Sequence, residues 1–262
     1  MTKQLTGKRG LVIGVANEKS IAWGIAKAAA EAGAELAFTY QAENLGRRVL
    51  PLAESVGSDI ILQADVLDSV SVDQLFATLE EKWGSFDFLV HAVAYSDKDE
   101  LTGRFINTTR KNFLNSMDIS CYSLIDLAKR AAPLMNKGGT ILTLTFQGAT
   151  SVMPNYNVMG VAKAALESAV RYLANDLGTD GIRVNAISPG PMRTLAGAAI
   201  GGARKTYRAT EANAPLRSNA TLDAVGGTAV YLASDAGAFT TGQIIFVDGG
   251  YHAIGMAQPE NL

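Results

Sequence analysis

The sequence predicts an α/β protein built on one doubly wound, mainly parallel sheet of about seven strands with helices on both faces. Three observations carry this. Short apolar runs, several ending in glycine or a small residue, alternate with longer segments of helical periodicity. No repeat, low-complexity tract or linker interrupts that alternation over residues 1–262, so a single domain is expected. Finally, 48% of the 262 residues are apolar, enough to cover both faces of a sheet.

The elements follow in order. RGLVIG is a buried first strand ending at Gly14. SIAWGIAKAAAEAG is a helix with Ser20 at its N-cap and Gly33 past its end. ELAFTY is the second strand. The helix around LGRRVLPLAESVG contains Pro51, which predicts a kink or a late start. DIILQADV, VSVDQLFATLEEKWG and FDFLVHAVA form strand, helix and strand. A long helical stretch through MDISCYSLIDLAKRAAPLM precedes a fifth strand, GGTILTLTF. VMGVAKAALESAVRYLANDLG is a long helix with Val158, Ala162, Ala165, Leu166, Ala169 and Leu173 along one stripe. IRVNAIS and GQIIFVDGG complete the sheet. The N-terminal MTKQLTGKRGLVIGV is read as this first strand rather than a signal peptide: its apolar run is short and no cleavage-like site precedes the helix.

Composition excludes several classes. The formal net charge of −2 argues against a nucleic-acid binder working through a general basic field. No apolar run approaches a membrane span, so no membrane insertion is expected. The single cysteine, Cys121, cannot form an intrachain disulfide, which favours a cytoplasmic setting. His91 and His252 stand far apart, and no Cys/His cluster suggests a metal site.

Doubly wound sheets bind ligands beyond the carboxyl ends of their strands, so residues there carry the functional argument. Gly14 permits a sharp turn close to a ligand. The helix opening at Ser20 offers free N–H groups and a positive dipole end to a pyrophosphate, though the same residues serve as a plain helix cap. The motif is not the common G-x-G-x-x-G. At the second strand end, Gln41 is neither the acid that holds an NAD ribose nor the arginine that accommodates NADP, but its amide can bond ribose hydroxyls; NADH is favoured. Arg47 and Arg48 are read as a solvated helix face. Asp65, followed by Val66, either accepts from an adenine amino group or serves a turn or helix cap. His91 opens the small-residue run that includes Val93 and is read as a hydrogen-bonded core residue.

Gly14 with SIAWG, AFTYQ ending at Gln41, Asp65-Val66, PNYNVMGVAKAALE and NAISPGPMRTLA together identify a resemblance that covers nearly the whole chain. The sequence resembles the short-chain dehydrogenase/reductase superfamily, with its Rossmann-type fold. More narrowly, it resembles the bacterial NADH-dependent enoyl-[acyl-carrier-protein] reductases of fatty acid biosynthesis. The carrying feature is the six-residue gap between Tyr156 and Lys163. Ketone reductases of the superfamily place the tyrosine one turn before the lysine, where this chain has Met159. An enoyl thioester takes hydride at Cβ and develops charge on the more distant thioester oxygen. A tyrosine two turns from Lys163, on its helix face, would reach that oxygen.

The resemblance implies further roles. Tyr156 would hydrogen-bond the enolate oxygen, and Lys163 would hold the nicotinamide ribose. Ser20, Ile21, Gln41, Asp65, Val66 and Val93 would line the adenosine and pyrophosphate site. Met192, Thr194 and Ala196 would cover the nicotinamide and phosphates, and Ser96 would contact substrate. The run LAGAAIGGA would be part of a mobile lid around 194–210. Arg204, Lys205 and Arg208 would either meet an acidic acyl carrier protein or form a solvated face. A homotetramer is implied as well. Two departures bear on the acyl pocket: Phe146 stands where these reductases have a second tyrosine, so its hydroxyl is absent, and Ala203 replaces a bulky aromatic of some relatives. Competing readings are a related reductase of another conjugated carbonyl and a non-catalytic nucleotide sensor.

Overall fold

The computed structural model describes residues 3–261; residues 1, 2 and 262 of the expected domain lie outside the described span. Seven strands form one all-parallel sheet, ordered β3-β2-β1-β4-β5-β6-β7. They are β1 Arg9–Ile13, β2 Glu35–Tyr40, β3 Ile60–Gln63, β4 Phe86–His91, β5 Met135–Leu144, β6 Arg183–Pro189 and β7 Ile244–Val247. The helices are α1 Ile21–Glu31, α2 Glu43–Ser55, α3 Ser69–Trp83, α4 Arg110–Met117, α5 Ser123–Ala131, α6 Val158–Gly178, α7 Leu195–Ala198, α8 Ala203–Asn213 and α9 Leu222–Ala233.

The strand pleat divides the core in two. Leu11, Ala37, Leu89, Ile141 and Val184 face a layer made by α3, α5 and α6. Val12, Phe38, Val90, Leu142 and Ile187 face α1, α2 and α9. Gly10 leaves room for the Phe88 ring, which a Cβ there would meet at 2.0 Å. Helices α1 and α9 cross closely because both carry glycine at the contact: a Cβ at Gly226 would sit 2.8 Å from the Gly24 carbonyl oxygen and 2.7 Å from Ala28 Cβ.

Several boundaries differ from the sequence reading. α2 begins at Glu43 and carries Pro51 in its interior, so the proline does not delay its start. The stretch read as one long helix is α4 and α5 joined by a π turn over Asp118–Tyr122, an arrangement often found at functional sites. Its end differs too: Met135 already belongs to β5, paired with Phe86. The buried face of α6 extends to Val170 and Ala174 and includes the polar Lys163 and Glu167, while Ala165, Ala169 and Leu173 are half-buried. The residues 222–233, not assigned in the sequence reading, form α9. Among the described residues no helix is long and apolar enough to cross a membrane.

Candidate functional site

The carboxyl ends of β1, β4, β5 and β6 open into a cavity of about 1750 Å³, larger than the ~300–1,000 Å³ of a single small-ligand pocket. Its wall brings together Gly14, Ile21, Val93, Ser96, Phe146, Tyr156, Lys163, Met192, Thr194 and Ala196. These residues come from the four loops after β1, β4, β5 and β6 and from three helices, α1, α6 and α7, so the chain's strand order is what assembles them.

The floor begins at Gly14, with φ +107 and a Cβ position 2.2 Å from the Ala92 carbonyl oxygen. Only glycine lets this turn lie against the end of β4. Ser20 occupies the N-cap of α1, but its side chain does not cap the helix. Its Oγ accepts from the N–H groups of Ala16 and Asn17, both at 3.0 Å, and so shapes the loop from behind rather than lining the cavity. The Trp23 N–H donates to the Ser20 carbonyl at 3.0 Å, while among the described residues the N–H groups of Ile21 and Ala22 have no partner, the arrangement that suits an anion.

Gln41, Asp65 and Val66 stand apart from the cavity wall, at the ends of β2 and β3. Gln41 Nε2 donates to Asp65 Oδ2 at 2.9 Å, and Asp65 Oδ1 accepts from Leu67 N–H at 3.0 Å. Asp65 therefore takes a turn role; the cap of α3 is Asp68. Because β3, β2 and β1 are adjacent, these residues extend the cavity's floor by two strand spacings, about 10 Å. Arg47 is paired with Glu43 at 3.6 Å on the exposed face of α2.

Tyr156 does not lie on the helix of Lys163. It sits in the turn before α6, which starts at Val158, so the two side chains reach the same cavity wall through the turn and not by helical repeat. Both are buried. Among the described residues no protein group hydrogen-bonds the Tyr156 hydroxyl. Burial, and then the charge of Glu167, push its pKa well above the usual phenol value, so it remains a proton-bearing donor. The ring of Phe146 meets that of Tyr156 edge-on, with centroids 5.0 Å apart at 67°.

Lys163 Nζ donates to the Leu144 carbonyl at 2.7 Å, leaving two N–H donors. Burial lowers its pKa to about 8, opposed by Cys121 and Glu167. Glu167, one turn further along α6, was not singled out from sequence; it is buried and accepts from Thr145 Oγ1 at 2.7 Å. Its carboxyl is pushed upward by burial. Met159 is also buried in the wall, and its thioether has no proton to give. His91 is a core residue: its ring nitrogens lie 2.8 Å from Thr143 Oγ1 and Ser123 Oγ, and burial lowers its pKa to about 3.

Ser96 reaches the wall while its Oγ accepts from Asn112 Nδ2 at 3.1 Å. Thr194 Oγ accepts from Gly197 N–H at 3.0 Å and caps α7, with its own hydrogen free to donate. Arg193 stacks on Tyr207 of α8 at 4.6 Å. Arg204, Lys205 and Arg208 are exposed at the mouth. Among the described residues no cluster of His, Cys, Asp or Glu could hold a metal ion.

A family model described as enoyl-(acyl carrier protein) reductase matches residues 14–252. Enoyl-[acyl-carrier-protein] reductase [NADH] 2 of Rhizobium meliloti is 57% identical over the whole of this chain and 98% of its own length. The Rickettsia bellii enzyme, also named as an NADH enoyl-[acyl-carrier-protein] reductase, is 54% identical over 97% of each chain. A crystal structure of the enoyl-(acyl-carrier-protein) reductase from Anaplasma phagocytophilum in complex with NAD superposes with a TM-score of 0.94. It is 53% identical, covering 99% of this chain and 97% of that one.

Proposed function

The chain belongs to the enoyl-(acyl carrier protein) reductase family, and from that premise we propose how its own residues reduce a trans-2-enoyl thioester with NADH. It is an NADH-dependent oxidoreductase of fatty acid biosynthesis, converting enoyl thioesters to saturated acyl thioesters. The observation that carries the mechanism is a buried, unengaged Tyr156 hydroxyl sharing a cavity with Lys163, with Met159 in the position a ketone reductase would use.

The residues fit a dinucleotide. Gly14 clears the floor, the N-terminus of α1 meets a pyrophosphate, and Thr194 has a hydrogen to give a phosphate oxygen. Gln41 and Asp65 would take the adenosine end, with Val66 and Val93 packing beside it; Arg47 is paired with Glu43 on the exposed face of α2, where Arg48 is exposed as well, and Gln41 rather than an arginine stands at the end of β2. NADH, when bound, supplies the hydride that reaches Cβ of the substrate. Tyr156 then donates its hydrogen bond to the thioester oxygen as charge develops there, its raised pKa keeping the proton on it, and the enolate takes from solvent the proton at Cα that completes the saturated thioester. The two remaining donors of Lys163 serve ribose hydroxyls, and at neutral pH its ammonium adds positive field. Ala199 and Ile200 pack against Tyr156 and Met159 and limit water around the reacting carbons.

Residues 194–210 are proposed as the mobile lid, opening to admit the acyl chain beside Ser96 and Phe146. The acyl carrier protein would dock at the mouth, where Arg204, Lys205 and Arg208 make no ion pair to a described residue. The assembly is proposed as a homotetramer, supported by the exposed Val161 and Tyr172 on α6, and the setting as cytoplasmic, supported by the lone cysteine.

Loss of reduced-nicotinamide absorbance with a trans-2-enoyl thioester tests the reading, run beside Tyr156→Phe and beside NADPH. Turnover with NADH and a kcat about 10²–10³-fold lower in the variant, the effect of one oxyanion donor, is expected. Equal kcat in the two proteins would remove Tyr156 from the mechanism.

A further inference from the structure

Tyr156 stands between two asparagines, and both have left-handed backbones, with φ +63 at Asn155 and +44 at Asn157. Asparagine enters this region more readily than most residues, but a strained pair persists only where its surroundings hold it. Each side chain is held by a different segment. Asn155 Nδ2 donates to the Gly201 carbonyl at 2.7 Å, and Asn157 Nδ2 donates to the Glu100 carbonyl at 2.9 Å. The Gly201 N–H in turn donates to the Leu101 carbonyl at 2.9 Å. The turn at 154–157, the segment at 100–102 and the end of α7 are thus joined in a closed triangle.

The apolar groups repeat it. Leu101, Tyr156 and Met159 form a buried cluster on which Ala199 and Ile200 pack. Space at the junction is tight: a Cβ on Gly201 would lie 3.2 Å from Asn155 Nδ2 and 3.1 Å from the Leu101 carbonyl oxygen. The bond from Asn155 therefore forms over a residue without a side chain. Asn155 and Asn157 both adjoin Tyr156, but of the two side chains it is that of Asn155 that bonds the segment after α7.

We infer that Asn155 is a positioning residue: its amide ties residues 199–202 to the turn that carries Tyr156, so that closing this segment and placing the phenol are one event. This rests on the reading of Tyr156 as the enolate donor. When the segment moves away, Asn155 loses its acceptor, the left-handed turn loses a restraint, and the phenol loses its fixed position. The enzyme is then competent only when closed.

Two variants separate backbone from amide. Asn155→Gly keeps access to positive φ and removes the donor; Asn155→Asp keeps the size and turns an acceptor toward the Gly201 carbonyl. Hydrogen exchange of the nucleotide-free proteins is measured over 197–203 and over α6. Kinetics follow with NADH and a trans-2-enoyl thioester. Both variants are expected to exchange about tenfold faster at 197–203, the loss of one hydrogen bond, with α6 unchanged. Both should also lose about tenfold or more in kcat/KM for the thioester, with KM for NADH unmoved. Wild-type exchange in both variants overturns the tether. Faster exchange with unchanged kcat/KM overturns the coupling. A wild-type protein that does not reduce the thioester overturns the reading of Tyr156 itself, and the exchange arm still reports on the tether alone. If Asn155→Gly does not fold, Asn155→Asp decides.

Discussion

Lys163→Met separates the structural burden of the buried ammonium from its chemistry. Burial draws the pKa of Lys163 from its ordinary 10.5 down to about 8, against the pull of Cys121 and Glu167. Between these values the unfolded chain holds a proton that the folded chain has released, so wild-type stability rises with pH across that window. Below pH 8 both states carry the proton and the burial penalty is fully present; above 10.5 neither does and the penalty is gone. The drop is worth about 3 kcal/mol, at about 1.4 kcal/mol per pH unit. The methionine variant lacks this titration. The unfolding free energy of wild type minus that of Lys163→Met is therefore expected to increase by about 3 kcal/mol from neutral pH to about pH 10.5. Near neutrality the two differ less, because the variant sheds a buried charge but also strips the Leu144 carbonyl of its donor, which costs about 1–3 kcal/mol. Urea unfolding of both nucleotide-free proteins, at one protein concentration and stepped pH, measures the difference. Groups remote from Lys163 largely cancel; the Cys121 thiol, which burial pushes up and Lys163 pulls down, does not, so both proteins carry Cys121→Ala. A difference that is flat or falls with pH would refute the argument that burial sets the Lys163 pKa.

Gly148→Ala would place a Cβ 2.3 Å from Tyr156 Cδ1, so the ring must move; kcat should drop about 10²-fold with NADH affinity unchanged, and a kcat near wild type would show the ring position to be uncritical. Phe146→Tyr restores a hydroxyl on the ring that meets Tyr156 edge-on, and should shift chain-length preference or KM for the thioester by a few fold, about 0.5–1.5 kcal/mol; identical kinetics across acyl lengths would mean the departure is silent. His91 is held neutral, its pKa lowered from 6.5 to about 3, so stability is lost as pH falls from about 6.5 towards 3, by up to about 5 kcal/mol. His91→Gln should move the acid-unfolding midpoint to lower pH, and an unmoved midpoint would assign acid unfolding to other groups.

The strands and their parallel arrangement were legible in the sequence from apolar runs with a glycine or small residue at their ends, and the fixed spacing drew attention to Tyr156 and Lys163, which line one cavity. The helical argument for that spacing was not correct in its geometry, since Tyr156 precedes α6 and reaches the cavity through a turn built on Asn155 and Asn157. Positive φ at asparagine has no pattern that distinguishes it from an ordinary polar loop. Glu167 escaped notice because a carboxylate on a helix usually faces water, and its burial depends on Thr145 from another element. The π turn and the early start of β5 are likewise tertiary effects, set by Ser120 bonding Tyr95 and by Met135 pairing with Phe86. α9 was not assigned from sequence; two adjacent glycines, Gly226 and Gly227, weaken its helical signal, whereas Gly226 is what lets α1 approach.

That close crossing of α1 and α9 has a bearing on how the protein is made. The loop and helix start that would receive a pyrophosphate are encoded within the first 30 residues, yet one of the two surfaces against which α1 is seated comes from residues 222–233. A chain emerging from the ribosome can form β1 to β4 early, but α1 has its full packing only after nearly all of the message has been translated. The nucleotide-binding end of the molecule is thereby among the last parts to gain its full packing.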